Sequence, residues 1–215
     1  MQSILLVNIS KSFREGRIIT QAVRDASFAV STGEVVWLRG ESGSGKSTTL
    51  SVCGLLTQPD SGKLLFDDKD ASRLAESDRN HLRSHEIGFI YQAHNLIPYL
   101  TALENVAMGT RSSDSRARRM LIQLGMAKRV NYRASHLSGG EQQRVAVARA
   151  IVRGPSLILA DEPISGLDHE TADVVLGCLS EMAASGAAVL IASHQVAVSS
   201  IATRVIDMEG GVANQ

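Results

Sequence analysis

Apolar and polar residues follow two different periods along the chain. Short apolar runs rich in β-branched residues predict strands, and apolar positions three to four residues apart predict helices. The predicted strands are residues 4–9, 26–30, 34–38, 63–66, 87–91, 157–160, 188–192 and 204–208. The predicted helices are residues 45–56, 101–108, 114–124, 141–153 and 169–184.

The order of these elements predicts the fold class. Strands alternate with helices at both ends of the chain, which indicates an α/β core with a mostly parallel sheet. The first strands indicate a small antiparallel β layer beside that core. Residues 93–154 are mostly helical, and we expect them to form a subdomain inserted into a core made of residues 1–92 and 155–215. The 215 residues are therefore expected to form a single domain.

A glycine-rich loop lies between the predicted strand 34–38 and the helix that follows it. Its sequence, GESGSGKS, fits G-x-x-x-x-G-K-[ST] at every position. Such glycines let the backbone curve around phosphates, and the helix N-terminus adds partial positive charge. A Gly/Ser-rich turn is the alternative, but the strand–loop–helix context favours nucleotide binding. The predicted binding residues are Gly40, Glu41, Ser42, Gly43, Ser44, Gly45, Lys46, Ser47 and Thr48.

Specific chemistry is expected from two loop residues and two carboxylates. Lys46 would reach the β- and γ-phosphates of ATP, and the Ser47 hydroxyl would be a Mg²⁺ ligand. In SLILADEP, four apolar residues end in Asp161 and Glu162. Because adjacent residues of a strand point to opposite sides, Asp161 is expected to complete the Mg²⁺ shell and Glu162 to position or deprotonate the attacking water. Two carboxylates in a surface turn are the alternative.

A second glycine-rich helix start occurs in HLSGGEQQRVAVARA. Ser138 and Glu141 have the spacing of a capping box, so a simple helix cap is one interpretation. The free N–H groups of Ser138, Gly139 and Gly140 would also form a second anion site. The segment alone leaves both interpretations open.

GESGSGKS, LSGGE and LADEP, in this order, resemble the motifs of the ATP-binding-cassette (ABC) ATPases, and the resemblance covers nearly the whole chain. In that family two cassettes meet head to tail and enclose two ATP molecules. The resemblance therefore implies a homodimer. It also implies that Ser138, Gly139, Gly140 and Glu141 of one chain contact the nucleotide held by the other.

Further residues occupy positions that the family uses. Gln92, after IGFIY, is similar to the glutamine of the family, which contacts Mg²⁺ or the water and takes part in catalysis. His194, in LIASHQ, is similar to the catalytic switch histidine, which would hydrogen-bond the γ-phosphate and hold Glu162 in place. Asp168, in SGLD, would contact the partner chain, and it would also fit a helix cap. Phe13 occupies the place of an aromatic residue under adenine, although it would also fit a core position.

The chain departs from the family pattern without losing a catalytic group. Ile164 stands where threonine is common, Gln195 stands where aspartate is common, and Phe13 stands where tyrosine is usual. We therefore expect ATP and Mg²⁺ to be retained, with some change in adenine affinity and in the hydrogen bonds of the aspartate loop.

The resemblance implies a membrane partner. No run approaches the roughly 20 apolar residues that span a bilayer, and the first residues lack the features of a signal peptide. The chain is therefore expected at the cytoplasmic face of the cell membrane, bound to two integral-membrane permease subunits of the four-span type and without direct cargo contact. Leu96, Ile97, Tyr99 and Leu100 are expected to dock the permease, with ordinary helix packing as the alternative.

The segments IGFIYQAHNLIPYLTALENVAM and GLLTQPDSG are most similar to one subfamily, which groups macrolide-exporter, lipoprotein-releasing and haem-exporter ATPases. Haem exporters are the most similar of these, so export or extraction of a hydrophobic cargo is expected. A mechanical regulator of a cell-wall enzyme is an alternative. A soluble DNA-repair ATPase is disfavoured, because the net charge is zero and no long coiled coil separates Lys46 from Ser138. Nucleic acid is therefore not expected as a partner.

Overall fold

A computed structural model describes residues 2–67, 69–108 and 114–214, so residues 109–113 of the predicted helical subdomain lie outside the described residues. The strands are β1 Gln2–Glu15, β2 Ile18–Ser31, β3 Val35–Arg39, β4 Ser61–Phe66, β5 Lys69–Asp70, β6 Ile87–Ile90, β7 Leu157–Asp161, β8 Ala188–Ser193, β9 Arg204–Glu209 and β10 Val212–Asn214. The α-helices are α1 Lys46–Cys53, α2 Glu76–His85, α3 Ala102–Ala107, α4 Asp114–Gln123, α5 Gly139–Ile151 and α6 His169–Ala184.

The strands form two sheets of different kinds. One sheet has the order β10-β9-β3-β8-β7-β6, and every pair in it is parallel except β10 with β9. The other has the order β2-β1-β4-β5 and is antiparallel throughout. The predicted α/β class, with a mostly parallel sheet and an antiparallel β layer, is confirmed.

The parallel sheet separates two hydrophobic clusters. Alternate residues of β3 enter opposite clusters: Val35 and Trp37 pack with residues of α5 and α6, whereas Val36 and Leu38 pack with residues of α1 and of the antiparallel sheet. Strands covered on both faces are continuous apolar runs rather than alternating patterns. This explains why the segments that form β3, β7 and β8 are apolar at almost every position.

Several elements differ from the predicted ones in their limits or were not predicted at all. β1 and β2 each have 14 residues. Their outer halves were not predicted, because these residues are mostly exposed and do not alternate between apolar and polar positions. Helix α2 was not predicted, since none of its residues is buried and no apolar period marks it. Helix α1 ends at Cys53 rather than at residue 56, because Gly54 caps it and Leu55 adopts a left-handed φ of 58°.

The helices between β6 and β7 share a core with the parallel sheet. Leu121 of α4 and Val145 of α5 belong to the same buried cluster as Ile158 of β7. Division of the chain into residues 1–92 and 155–215 on one side and 93–154 on the other stays a prediction. Among the described residues, no helix is long and apolar enough to cross a membrane.

Candidate nucleotide-binding site

The glycine-rich loop connects the end of β3 to the start of α1. Gly45 is the N-cap of α1 with a φ of 100°, and no side chain caps this helix. A Cβ atom on Gly45 would lie 2.1 Å from the carbonyl oxygen of Ala22, and one on Gly40 would lie 2.3 Å from that of Met208. Since the neighbouring atoms are backbone, only glycine fits at these two positions. The N-terminal N–H groups of α1 therefore point into a loop free of capping side chains, as anion binding requires.

Lys46 lies inside the curve of this loop. Its Nζ atom donates hydrogen bonds to the carbonyl oxygens of Gly40 at 2.8 Å and Glu41 at 2.7 Å, and the residue is 7% exposed. The ammonium group is thus placed at the loop itself, which fits the predicted contact with phosphate oxygens.

Asp161 is the last residue of β7 and faces the loop. The Ser47 side chain forms a hydrogen bond to its carboxylate. Burial raises the pKa of Asp161, and the neighbouring charge of Glu162 raises it further, while the Ser47 hydrogen bond and the charge on Lys46 lower it. A partly desolvated carboxylate beside a hydroxyl is a suitable oxygen donor pair for a cation.

Glu162 lies beyond the end of β7 rather than on the strand. Its backbone φ is 47°, in the left-handed region that non-glycine residues seldom adopt, and its amide donates to the carbonyl oxygen of Ala192 at 2.9 Å. The expectation that Asp161 and Glu162 point to opposite sides of one strand is therefore wrong in its geometry. The backbone turns between them instead, and both side chains reach the same cavity.

The carboxylate of Glu162 has hydrogen-bond partners on both oxygens. The Ser193 hydroxyl donates to Oε2 at 2.8 Å, while the backbone N–H of His194 and its Nδ1 atom lie 3.2 and 2.7 Å from Oε1. Glu162 is 8% exposed, whereas the His194 side chain is 63% exposed. Ser193 could not be predicted as a site residue, because its contact with Glu162 depends on how β7 and β8 align.

A cavity of about 290 Å³ brings all the predicted catalytic and cation-binding residues together. Its lining comprises Thr20, Gln21, Ala22, Ser42, Gly43, Gly45, Lys46, Ser47, Thr48, Gln92, Asp161, Glu162 and His194. A hydroxyl, an amide and a carboxylate, from Ser47, Gln92 and Asp161, offer oxygen donors to a hard cation. The described residues contain no cluster of three or more His, Cys, Asp or Glu side chains that would hold a metal alone. This set therefore fits Mg²⁺, which is usually held by one or two carboxylates together with substrate phosphates.

A larger concavity of about 820 Å³ also borders the loop. Gly40, Glu41 and Ser44 line it together with His194 and residues of β9, including Asp207. Ser42, Gly43 and His194 line both this concavity and the smaller cavity.

Phe13 lies beside the cavity and not in it. It is 48% exposed on β1 and pairs with Thr20 of β2, the strand that supplies three residues of the lining. The Nζ atom of Lys11 lies 5.7 Å from the centre of the Phe13 ring. Its predicted contact with adenine stays a prediction.

The second glycine-rich segment starts α5 at a distance from the cavity. Ser138 is the N-cap, and its Oγ atom accepts a hydrogen bond from the Glu141 N–H at 3.3 Å while a Glu141 oxygen accepts one from the Ser138 N–H at 2.8 Å. The other Glu141 oxygen accepts from Arg129 Nε at 2.8 Å. The capping box is therefore present. None of the described residues that line the phosphate-loop cavity belongs to this segment.

Asp168 is likewise a helix cap. Its side chain accepts from the Thr171 N–H at 2.9 Å and from the Thr171 hydroxyl at 3.0 Å at the start of α6. One expected role of Asp168 is thus visible within the chain, and its contact with a partner chain stays a prediction.

The four predicted docking residues lie in the turn before α3. Tyr99 is 71% exposed, whereas Leu96, Ile97 and Leu100 are half-buried and Leu96 packs against the main core. This turn is held by Asn105, a fully buried residue whose Oδ1 accepts from the Ile97 N–H at 2.8 Å and whose Nδ2 bonds to three carbonyl oxygens between residues 97 and 101. Tyr99 is therefore displayed by a fixed turn.

Arg149 of α5 holds the preceding segment. It donates to the carbonyl oxygens of His94 at 2.7 Å and Asn95 at 2.6 Å, and these two residues have left-handed φ angles of 59° and 49°. This contact could not be predicted from the sequence. The position of a charged residue in a helical pattern does not indicate which backbone groups its side chain will contact.

The parallel sheet, the phosphate loop at the carboxyl end of β3 and the carboxylates at the end of β7 together define a P-loop nucleotide-hydrolysing domain. A sequence model of the ABC transporter family matches residues 23–165. The chain belongs to the ABC transporter family.

Solved structures agree with this assignment. The dimeric post-hydrolysis state of the ATP-binding cassette MJ0796, bound to ADP and Pi, matches with a TM-score of 0.93 and 33% identity over 99% of this chain and 97% of that chain. A second dimeric structure of MJ0796, a bacterial ABC transporter cassette, matches with a TM-score of 0.94, the same identity and the same coverage. A nucleotide-free cassette from an ABC transporter matches with a TM-score of 0.85 and 25% identity, over 99% of this chain and 90% of that one. The chain is thus an ATP-binding cassette with ATPase activity.

Proposed function

We propose that the chain is the nucleotide-binding subunit of a transporter, which dimerises around two ATP molecules and drives a separate membrane permease. One observation supports the catalytic part of this proposal: a single cavity at the phosphate loop is lined by Lys46, Asp161, Glu162 and His194. This arrangement supplies charge for the phosphates, donors for a cation and a carboxylate for the water in one place.

Hydrolysis is assigned to the side chains of this cavity. Water attacks the γ-phosphorus, its proton passes to the Glu162 carboxylate, and the bond to the leaving ADP oxygen breaks, which gives ADP and phosphate. Lys46 stabilises the negative charge that moves onto the phosphate oxygens. His194 bonds Glu162 through Nδ1, which leaves its Nε2 atom to face the γ-phosphate. Gln92, which lines the same cavity, orients the water.

Mg²⁺ is the proposed cofactor of this reaction. Ser47, Gln92 and Asp161 would hold it together with phosphate oxygens, and the bound cation would neutralise charge on the phosphates. Asp161 contributes its carboxylate from a partly desolvated position, where its attraction to a cation is strengthened.

A homodimer is supported by the position of the second glycine-rich segment. Its helix start is suited to bind an anion, and Asp168 is a polar side chain at the start of the next helix. Neither lines the phosphate-loop cavity of its own chain among the described residues. The similar cassettes of MJ0796 are dimeric. We assign Ser138, Gly139, Gly140, Glu141 and Asp168 to contacts with the nucleotide and the chain across the dimer. The dimer would close when ATP binds and open after phosphate is lost. The cassette pair would then switch between two states, and this motion could do mechanical work.

The docking surface for the permease is proposed at Leu96, Ile97, Tyr99 and Leu100. Its support is the exposed Tyr99 ring on a turn fixed by buried hydrogen bonds. The cassette would thereby lie at the cytoplasmic face of the membrane, peripheral to two permease subunits.

We propose haem as the cargo, because segments of the sequence are similar to haem exporters. Lipoprotein, macrolide or peptide export, or mechanical control of a cell-wall enzyme, are the alternatives.

The transport role is tested by purifying the chain with its membrane subunits in lipid vesicles. We expect the membrane subunits to increase the rate of ATP hydrolysis, and haem to change that rate further relative to a lipoprotein or a macrolide. Tyr99→Ser should weaken the stimulation and leave the basal rate unchanged. Ile122→Ser is the matched control, because Ile122 is a half-exposed apolar residue on α4. If no membrane protein associates and the ATPase rate responds to DNA, the transporter role is wrong.

A further inference from the structure

Ser193 is a buried hydroxyl at the end of β8. The residue is fully buried, and its Oγ atom donates to Glu162 Oε2 at 2.8 Å. The same Oγ accepts a hydrogen bond from the backbone N–H of Gln195 at 3.1 Å. Because a backbone N–H can only donate, the Ser193 oxygen accepts from Gln195, and its one hydrogen is left for the carboxylate.

The backbone of Ser193 is equally fixed. Its carbonyl oxygen accepts from the Trp37 indole N–H at 2.8 Å, and it pairs in register with Arg39, the last residue before the phosphate loop. A hydroxyl held on both sides in this way has one orientation. It therefore transmits the position of the phosphate-loop strand to the carboxylate of Glu162.

Glu162 needs such a support. Its left-handed backbone at φ 47° is a conformation that persists in proteins where surrounding contacts over-determine it. His194 bonds only Oε1 and its side chain is largely exposed, whereas Ser193 is fully buried. Ser193 is thus the contact that fixes the second oxygen and with it the plane of the carboxylate.

We propose that Ser193 is a positioning residue for ATP hydrolysis, which holds the Glu162 carboxylate in place for the attacking water. This inference rests on the proposed role of Glu162 as the base. A side chain of this kind touches neither nucleotide nor cation, so its loss should lower kcat while KM for ATP changes little.

The test compares Ser193→Ala with Ser193→Thr in the full chain. Ser193→Ala should lower kcat roughly ten-fold or more, as expected for the loss of a hydrogen bond to a charged group, with KM within about two-fold. Ser193→Thr keeps the hydroxyl and should restore most of the rate. Ser3→Ala is the matched control, because Ser3 is a buried serine of β1 in the antiparallel sheet.

A double variant separates positioning from a purely structural role. In the Glu162→Gln background, Ser193→Ala should leave the residual rate unchanged, since the group through which it acts is already absent. The fluorescence of Trp37, the one tryptophan of the chain, reports whether the Ser193 carbonyl stays in place in each variant. If Ser193→Ala does not fold, Ser193→Cys replaces it, and its weak S–H donor should give an intermediate rate.

The experiments distinguish failure of the proposed role of Glu162 from failure of the proposed role of Ser193. If Glu162→Gln hydrolyses ATP at the normal rate, the proposed base is wrong whatever Ser193 does. If Glu162→Gln loses turnover but Ser193→Ala keeps kcat within about two-fold, or lowers kcat equally in the Glu162→Gln background, the role of Ser193 is overturned and that of Glu162 stands.

Discussion

At the scale of single residues, the site depends on where the backbone turns as much as on which side chains are present. Glu162 reaches the cavity because the chain leaves the strand direction directly after Asp161. The identities of both carboxylates could be predicted from the apolar run that precedes them. The turn could not, because a left-handed glutamate is held by tertiary contacts from Ala192, Ser193 and His194 and has no local signal.

Replacement of Glu162 by glutamine is the sharpest test at this scale. The amide keeps the size of the side chain but cannot accept the proton of the water, so we expect ATP affinity to be retained and turnover to fall by at least about 100-fold. Gel filtration with ATP and Mg²⁺ should show a dimer that persists, since its nucleotide is not consumed. Rapid hydrolysis by the glutamine variant would remove Glu162 from the mechanism.

At the scale of elements, the start of α5 combines a cap with an ion pair. Glu141 closes the capping box with Ser138 and also bonds Arg129, whose guanidinium carbon lies 4.6 Å from the centre of the Tyr132 ring. The capping box could be predicted from the spacing of serine and glutamate. Arg129 could not, because eleven residues separate it from Glu141 and no local pattern pairs the two side chains. The helix start that carries Ser138 is therefore fixed from two directions.

This arrangement predicts a pH-dependent stability. Burial raises the pKa of Glu141, but hydrogen bonds from Ser138 and Arg129 outweigh that effect and the net pKa is lowered. The charged carboxylate therefore stabilises the fold above the ordinary glutamate pKa of about 4.3, and this contribution is lost as the pH falls through the lower folded value. Because glutamine can still close the capping box, only the charge is lost, and Glu141→Gln should lose roughly 0.5 kcal/mol of unfolding free energy at pH 7, and progressively less in acid.

Urea unfolding of both proteins between neutral and acid pH measures this difference. Glu104→Gln is the matched control, because Glu104 closes the capping box of α3 with Thr101 but has no arginine hydrogen bond among the described contacts. We expect the control to show a smaller change. A Glu141→Gln penalty that stays constant with pH would show that the charge makes no contribution.

At the scale of the whole molecule, the sheet order decides which distant segments form the site. The phosphate loop and the carboxylates lie at the carboxyl ends of β3 and β7, which are separated in the sheet by β8. The fold class and most strands could be predicted, because strands covered on both faces carry a strong apolar signal. Helix α2 and the outer halves of β1 and β2 could not, since their mostly exposed residues follow no regular alternation of apolar and polar positions.

Dimerisation is tested by mixing two inactive chains. In a Lys46→Ala chain paired with a Ser138→Arg chain, one composite site has both native residues and the other has neither. The equal mixture should therefore recover ATP hydrolysis, with roughly a quarter of all sites intact, because about half of the dimers are mixed. Each variant alone should stay inactive. If the mixture also stays inactive while both variants fold and associate, Ser138 does not act across the dimer.

The pairing of β3 has a consequence for synthesis of the protein on the ribosome. β3 lies between β8 and β9, and the N–H of Gly211 donates to the carbonyl oxygen of Ser44 in the phosphate loop at 3.1 Å. The loop is translated early, yet its scaffold comes from residues more than 140 positions later. A nascent chain that stops before β8 therefore has no framework to bind ATP, so the nucleotide cannot assist folding until translation is nearly finished.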